Sequence, residues 1–321
     1  MSEIPVDPGM LRFYEALSSQ SPPESTDWPL PEQRRGWEAV CRSFRAPHPA
    51  GLSVETVAVP GPGGPIAVRF YRPEGAAPKA GVLYGHGGGW VLGSLETHDD
   101  MCAELAAGAD VVVAAVDYRL APEHRHPAQL DDMLAVLAYL RAEGARHGID
   151  PARIIGAGDS AGGQLTAGAA LHLRATGAPQ LLAQVLIYPV LGADTETASY
   201  RANAEAPCLT RAEMIYFLEA FLGPRGAAGW TDPRAVPLLA ADLSGLPPAF
   251  VIVAEHDPLC DDGVAFHERL LAAGIPSTLR REPALAHSFM RARHHSAPAM
   301  AAFRAIADAL AAFAQGRTAP V

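Results

Sequence analysis

Residues 153–170 read RIIGAGDSAGGQLTAGAA, and this stretch decides the fold. It begins with a short apolar run that is typical of a buried strand and passes without a linker into a helical pattern. The turn between them is GDSAG at 158–162, with Ser160 at its centre. Small residues there permit a sharp strand-to-helix turn that lifts the serine hydroxyl clear of the sheet. The stretch therefore predicts a nucleophile elbow.

The same residues also match a dinucleotide-binding fingerprint, because Gly156, Gly158 and Ala161 have its spacing. That fingerprint needs an acidic residue about 20 positions further on to bind the ribose hydroxyls. Residues 164–193 contain no Asp or Glu. We therefore favour the elbow over an NAD site, although in a chain with 30 glycines the bare G-x-S-x-G pattern is weak evidence and needs its context.

Short apolar runs alternate with helical patterns on both sides of the elbow. The further predicted strands are GVLYGHG (81–87), DVVVAAVDYR (110–119), QVLIYPV (184–190), AFVIVAE (249–255) and STLRRE (277–282). Such alternation predicts a buried parallel sheet flanked by helices. The runs at 54–61 and 65–73, joined through Gly-Pro-Gly-Gly, predict a hairpin before it. The fold class is thus α/β with a mostly parallel central sheet.

A second glycine-rich loop, HGGGW at 86–90, follows the strand GVLYG. Consecutive glycines let backbone N–H groups converge on one point, as an oxyanion hole requires. The N–H of Ala161, directly after the elbow serine, adds a donor. The alternative is a loop that is merely flexible, but its place after a strand favours the oxyanion hole.

The partners of an elbow serine follow it in the chain, first an acid and then a histidine, each after a later strand. The best candidates are Asp257 and His287, which follow the last two predicted strands. The other candidate acids are Glu255, Asp261 and Asp262. The remaining downstream histidines, His172, His267, His294 and His295, lie in helical or basic polar stretches and read as surface residues.

Two helical regions contain more apolar residues than free-standing helices would carry. One is the first fifty residues, and the other is an insertion with the amphipathic stretch AEMIYFLEAFLG at 212–223. We expect a single domain over 1–321, with a helical cap from about 1–50 and 191–240 and a core from about 51–190 and 241–321. The alternative is that these helices only pad the core.

Composition narrows the class of protein. The chain has 321 residues and a net charge of −10, which disfavours a nucleic-acid or membrane-surface partner. No apolar run reaches the roughly 18 residues of a membrane span, and the N-terminus lacks a signal-peptide pattern. Cys41, Cys102, Cys208 and Cys260 are widely spaced, with no metal-ligand pattern. We expect a cytoplasmic protein with reduced thiols.

Several motifs in order resemble one known family: GHGGGWVLGSLETHD, VDYRLAPEHRHPA, GAGDSAGGQ, LIYP, EHDPLCDDG and AHSF. They are similar to those of the bacterial hormone-sensitive-lipase-like esterases, also called family IV. The resemblance spans residues 81–289. It implies an α/β-hydrolase fold with a cap, and hydrolysis of short- to medium-chain carboxylic esters through an acyl-enzyme without a cofactor or metal. The partner would be a small-molecule ester, and a homodimer stays open.

Carried over residue by residue, the resemblance implies Ser160 as nucleophile, His287 as base and Asp257 as its orienting acid. Gly88, Gly89 and Ala161 would form the oxyanion hole, with Gly87 in the same loop. We further expect the substrate to contact Trp90, Tyr188, Leu209 and Met214.

Gln164, Cys260 and Ser288 depart from residues that are common in the family. A non-catalytic receptor on the same fold is the rival function, but relatives of that kind have an incomplete triad, whereas His287 is present here. A second rival keeps the triad and uses it on amides or lactones, or as a dehydratase.

Overall fold

The computed structural model describes residues 6–75 and 78–320. An eight-stranded sheet with the order β1-β2-β4-β3-β5-β6-β7-β8 runs through it. Its strands are β1 (Leu52–Gly61), β2 (Gly64–Pro73), β3 (Lys79–Gly85), β4 (Val112–Val116), β5 (Ile149–Asp159), β6 (Gln184–Ile187), β7 (Ala249–His256) and β8 (Ser277–Ala286). β1 and β2 form the predicted hairpin, β2 pairs antiparallel with β4, and β3 to β8 run parallel.

The α-helices cover the sheet, and residues of three of them line a cleft at the end of β5. They are α1 (Pro8–Gln20), α2 (Leu30–Ser43), α3 (Asp99–Ala109), α4 (Ala128–Glu143), α5 (Ala161–Thr176), α6 (Ala198–Ala202), α7 (Arg211–Leu222), α8 (Cys260–Ala272) and α9 (Ala297–Ala314). The central strands β3, β4 and β6 are buried almost throughout, as strands covered on both faces must be. The predicted α/β-hydrolase fold class is confirmed.

Helix α9 is long and apolar enough to cross a membrane by composition alone. It contacts α3 and three strands, and residues such as Ile306 and Leu310 are fully buried. Within the described chain it is a core helix. The division into a core and a cap stays a prediction, although α1, α2 and α7 do lie over the end of β5.

Candidate active site

Ser160 lies between β5 and α5 with φ 54° and ψ −117°. A non-glycine residue rarely adopts this conformation, and here the tight turn imposes it. The backbone around it is packed so closely that a Cβ on Gly162 would lie 1.8 Å from the carbonyl oxygen of Gly85. Glycine is therefore required at 162 for β3 and α5 to approach each other, and this approach presents the serine at the end of the sheet.

The loops after β7 and β8 bring an acid and a histidine to this serine. Nε2 of His287 lies 3.0 Å from Oγ of Ser160, and Nδ1 of His287 lies 2.6 Å from Oδ2 of Asp257. All three side chains are buried, and Oδ1 of Asp257 accepts the N–H of Leu259 at 2.9 Å. The spacing suits proton transfer from the hydroxyl to the imidazole.

The other three candidate acids have different partners. Glu255 pairs with Arg281, Asp261 accepts the N–H of Ser199, and Asp262 accepts two backbone N–H groups that follow β6. Asp257 is therefore the acid, among the four considered, that contacts His287.

The glycine loop after β3 has two kinds of N–H group. Gly88 and Gly89 have φ of 122° and 58°, and their N–H groups, like that of Ala161, have no acceptor within the described residues. The N–H of Gly87 instead donates to Oδ1 of Asp159 at 3.0 Å. Gly87, which we expected in the oxyanion loop, therefore holds the loop in place and does not offer a free N–H.

Asp159 is a functional-site residue that the sequence reasoning missed. Its buried carboxylate also accepts the hydroxyl of Tyr84 at 2.8 Å and lies 3.3 Å from Nε2 of His98. Burial alone raises the pKa of Asp159, but His98, Arg291 and Tyr84 together lower it below its ordinary range. Burial also lowers the pKa of His98 to about 4, so at neutral pH the Arg291 charge and the hydrogen bonds keep Asp159 ionised. An acid next to the serine, after an otherwise apolar strand, was the available signal.

A cleft opens at Ser160, with a volume of about 720 Å³ including its open mouth. Its lining combines the glycine loop and His287 with residues of α1, α2 and α7 and the segments beside them. Those segments contribute the side chains of Gln33, Trp37, Leu209, Glu213, Met214 and Phe217. The lining of the cleft is therefore partly polar and partly apolar.

Of the four predicted substrate contacts, Leu209 and Met214 line the cleft and Trp90 and Tyr188 do not. Trp90 is fully buried, with its indole N–H donating to Oε1 of Gln164 at 2.9 Å. Tyr188 packs beside His287 at 4.8 Å between ring centroids. Trp90 and Tyr188 have positive φ values of 60° and 33°. Both side chains are buried and pack around the site instead of lining the cleft.

The departures from the family pattern have visible surroundings. Gln164 accepts from Trp90 and donates to the carbonyl of Arg234 at 2.6 Å, so it joins the glycine loop to the insertion. Ser288 has φ 61°, the left-handed region that favours glycine, at the turn directly after His287. Cys260 is buried and its pKa is raised, chiefly by burial, to about 12, which makes it a packing residue rather than a nucleophile.

Residues 82–291 match a family model described as the alpha/beta hydrolase fold. The chain belongs to this family. Within it, the hormone-sensitive-lipase-like group predicted from the sequence is confirmed by the relatives. The chain is 44% identical over 227 residues to "Carboxylesterase NlhH" of Mycobacterium tuberculosis, covering 70% of this chain and 71% of that protein. It is 40% identical over 232 residues to "Ethyl acetate hydrolase" of Pseudomonas putida, covering 70% and 72%.

A solved structure agrees with this. The esterase of Pyrobaculum calidifontis superposes with a TM-score of 0.90 at 35% identity, covering 97% of this chain and 99% of that one. This member of the alpha/beta hydrolase family is a serine carboxylesterase, as the sequence predicted.

Proposed function

We propose that the carboxylesterase reaction runs through Ser160, with His287 as general base and Asp257 as its orienting acid. The observation that carries this is the unbroken chain of contacts from Oγ of Ser160 through both ring nitrogens of His287 to Asp257, at 3.0 and 2.6 Å. Ser160 and His287 line the cleft, so a substrate that enters it can reach the serine hydroxyl.

In the first step His287 takes the serine proton as Oγ attacks the ester carbonyl, and then gives it to the leaving alkoxide. Asp257 holds the imidazole in the tautomer that presents a free Nε2 to the serine. The N–H groups of Gly88, Gly89 and Ala161 stabilise the oxyanion, whose charge develops mainly in the transition state. Water then repeats the sequence on the acyl-enzyme.

The substrates we propose are short- to medium-chain esters, and the segments 1–50 and 191–240 act as the cap. Support comes from the apolar side chains of Leu209, Met214 and Phe217, which line the cleft together with Ser160 and His287. A cap of this kind excludes water and positions the acyl chain.

The test is a series of p-nitrophenyl esters from acetate to palmitate, hydrolysed by the wild type and by Ser160→Ala. We expect turnover to fall beyond medium chain lengths, and the variant to lose it throughout. A variant that kept turnover would overturn the assignment of the nucleophile, and a wild type that preferred palmitate would overturn the short-chain proposal.

We also propose a cytoplasmic location. The four cysteines are unpaired in the structure, which suits a reducing compartment. Fractionation of the source cells with an antibody to the protein tests this.

A further inference from the structure

We propose that Glu213 makes this esterase selective for carboxylic esters that carry a positively charged amine or ammonium group. The inference rests on the proposed function, because it takes the cleft at Ser160 as the substrate site. It assigns to Glu213, on one wall of that cleft, the role of binding a positively charged group of the substrate.

Glu213 stands in the first turn of α7, on the wall of the cleft that contains Ser160 and His287. The helix begins with a capping box, in which Oε2 of Glu213 accepts the N–H and the hydroxyl of Thr210, each at 2.7 Å. Oε1 has no hydrogen-bond partner in the described part of the chain. One carboxylate oxygen therefore holds the helix end, and the other is available to a ligand.

The charge of Glu213 is not balanced inside the cleft. The basic residues of the lining are Arg291 and His287. The guanidinium of Arg291 is committed to the carbonyl of Thr97 and to His98, beside the Asp159 carboxylate. Both ring nitrogens of His287 contact Ser160 and Asp257. Among the described residues, Glu213 forms no ion pair with Lys or Arg. Burial raises its pKa, which reflects the cost of holding this charge away from water. A cationic ligand would remove that cost.

Two aromatic side chains of the same lining, Trp37 and Phe217, already have partners. The guanidinium of Arg291 lies over the Trp37 ring at 5.6 Å from its centroid, and the Phe217 ring packs against Gly89. The preference for a cation therefore rests on the free carboxylate oxygen of Glu213.

Gln33 is a neutral polar residue of the same lining, and its side-chain amide already donates to the carbonyls of Thr26 and Trp28. It also accepts the hydroxyl of Tyr216. Gln33 therefore does not offer a competing site for a neutral polar group.

The experiment compares pairs of esters that differ in charge and little in shape. Choline butyrate and 3,3-dimethylbutyl butyrate place the charge on the alcohol side, and ethyl 3-aminopropanoate and ethyl butanoate place it on the acyl side. Glu213→Gln removes the charge but keeps the capping box at the start of α7, because glutamine also serves at this position of a capping box. Glu219→Gln, at an exposed residue of the same helix, is the matched control.

We expect Glu213→Gln to lower kcat/KM for the charged ester of at least one pair by about tenfold, the scale of a lost hydrogen bond to a charged group. The neutral esters should change by less than about twofold, and Glu219→Gln should leave both ratios unchanged. If the charged-to-neutral ratios of both pairs stay the same in Glu213→Gln, the inference is wrong.

A measurement on the wild type alone keeps the inference testable if the variant folds poorly. Tetramethylammonium should inhibit hydrolysis of ethyl butanoate competitively, and tert-butanol at the same concentration should not. Equal inhibition by both would contradict the role of Glu213. Failure of the proposed function would give a different result from failure of this inference, because Ser160→Ala would then still hydrolyse the neutral esters.

Discussion

The backbone N–H of Gly87 donates a 3.0 Å hydrogen bond to Oδ1 of Asp159, the residue directly before Ser160. This contact joins the loop that carries the proposed oxyanion donors to the turn that carries the proposed nucleophile. A Cβ on Gly87 would lie 2.4 Å from Oδ2 of the same carboxylate, so the two segments are in direct contact. The relative position of donors and nucleophile therefore depends on one buried carboxylate.

Asp159→Ala should lower kcat by about a hundredfold and leave KM within a few-fold. The reason is that misplaced donors lose stabilisation of the transition state more than of the ground state. Steady-state kinetics on p-nitrophenyl butyrate measure this. Tyr84→Phe removes another hydrogen bond to Oδ1 without touching the loop, and it should cost much less. Equal losses in the two variants would contradict the role given to Asp159.

Ser160→Ala and His287→Ala should each lower kcat by about 10⁴ to 10⁶, and the double variant should be hardly worse than either single one. The hydroxyl and the imidazole act as one unit across 3.0 Å, so removing either disables both. Single-turnover and steady-state rates measure the losses. Additive losses would mean that the two residues act independently.

Asp257→Asn should lower kcat by about 10⁴, because the amide favours the wrong tautomer of His287. Asp261→Asn should cost far less, since Asp261 accepts the N–H of Ser199 and does not contact the imidazole. Rates at saturating substrate decide between them. The reverse order would transfer the role of the acid to Asp261.

Met214→Ala should shift the ester preference toward longer chains. Met214 lines the cleft, and its truncation leaves room for added methylenes, each of which changes relative kcat/KM about tenfold or more. The ratio of octanoate to butyrate hydrolysis measures the shift. Leu218→Ala is the control, because Leu218 is buried in the same helix but does not line the cleft. A similar shift in the control would assign the effect to destabilisation of α7.

Asp262 should make stability fall as pH rises from about 4 to 7. Burial raises the pKa of this carboxyl from 3.8 to about 7, with the Asp257 and Asp261 charges adding to the shift. Across that window the folded protein keeps a proton that the unfolded chain has lost. Its contribution to the free energy of unfolding is thus complete below about 4 and is lost as pH rises through 7.

Asp262→Asn removes this titration. The free energy of unfolding of the wild type, relative to that of the variant, should therefore fall from pH 5 to pH 8 in urea denaturation. Asp242→Asn is the control. Asp242 is exposed, and hydrogen bonds from Ser244 lower its pKa, so it titrates below this window. A difference for Asp262→Asn that does not change with pH would contradict the assignment.

Local patterns predicted the strands well. The run RIIGAG became the end of β5, and the run AFVIVAE became β7, because a strand buried on both faces must be apolar throughout. The elbow was equally legible, since only small residues fit its turn.

The sequence by itself determined which segments form the strands, the elbow at Ser160 and the loops that carry Asp257 and His287, because each follows from local backbone geometry or chain order. Only the tertiary structure decided that the N–H of Gly87 donates to Asp159 and that Trp90 packs away from the cleft. It also placed Glu213, which forms no ion pair with a described Lys or Arg, in the cleft that Ser160 lines. These are contacts between segments distant in the chain, and no local pattern specifies which donor meets which acceptor once the segments pack.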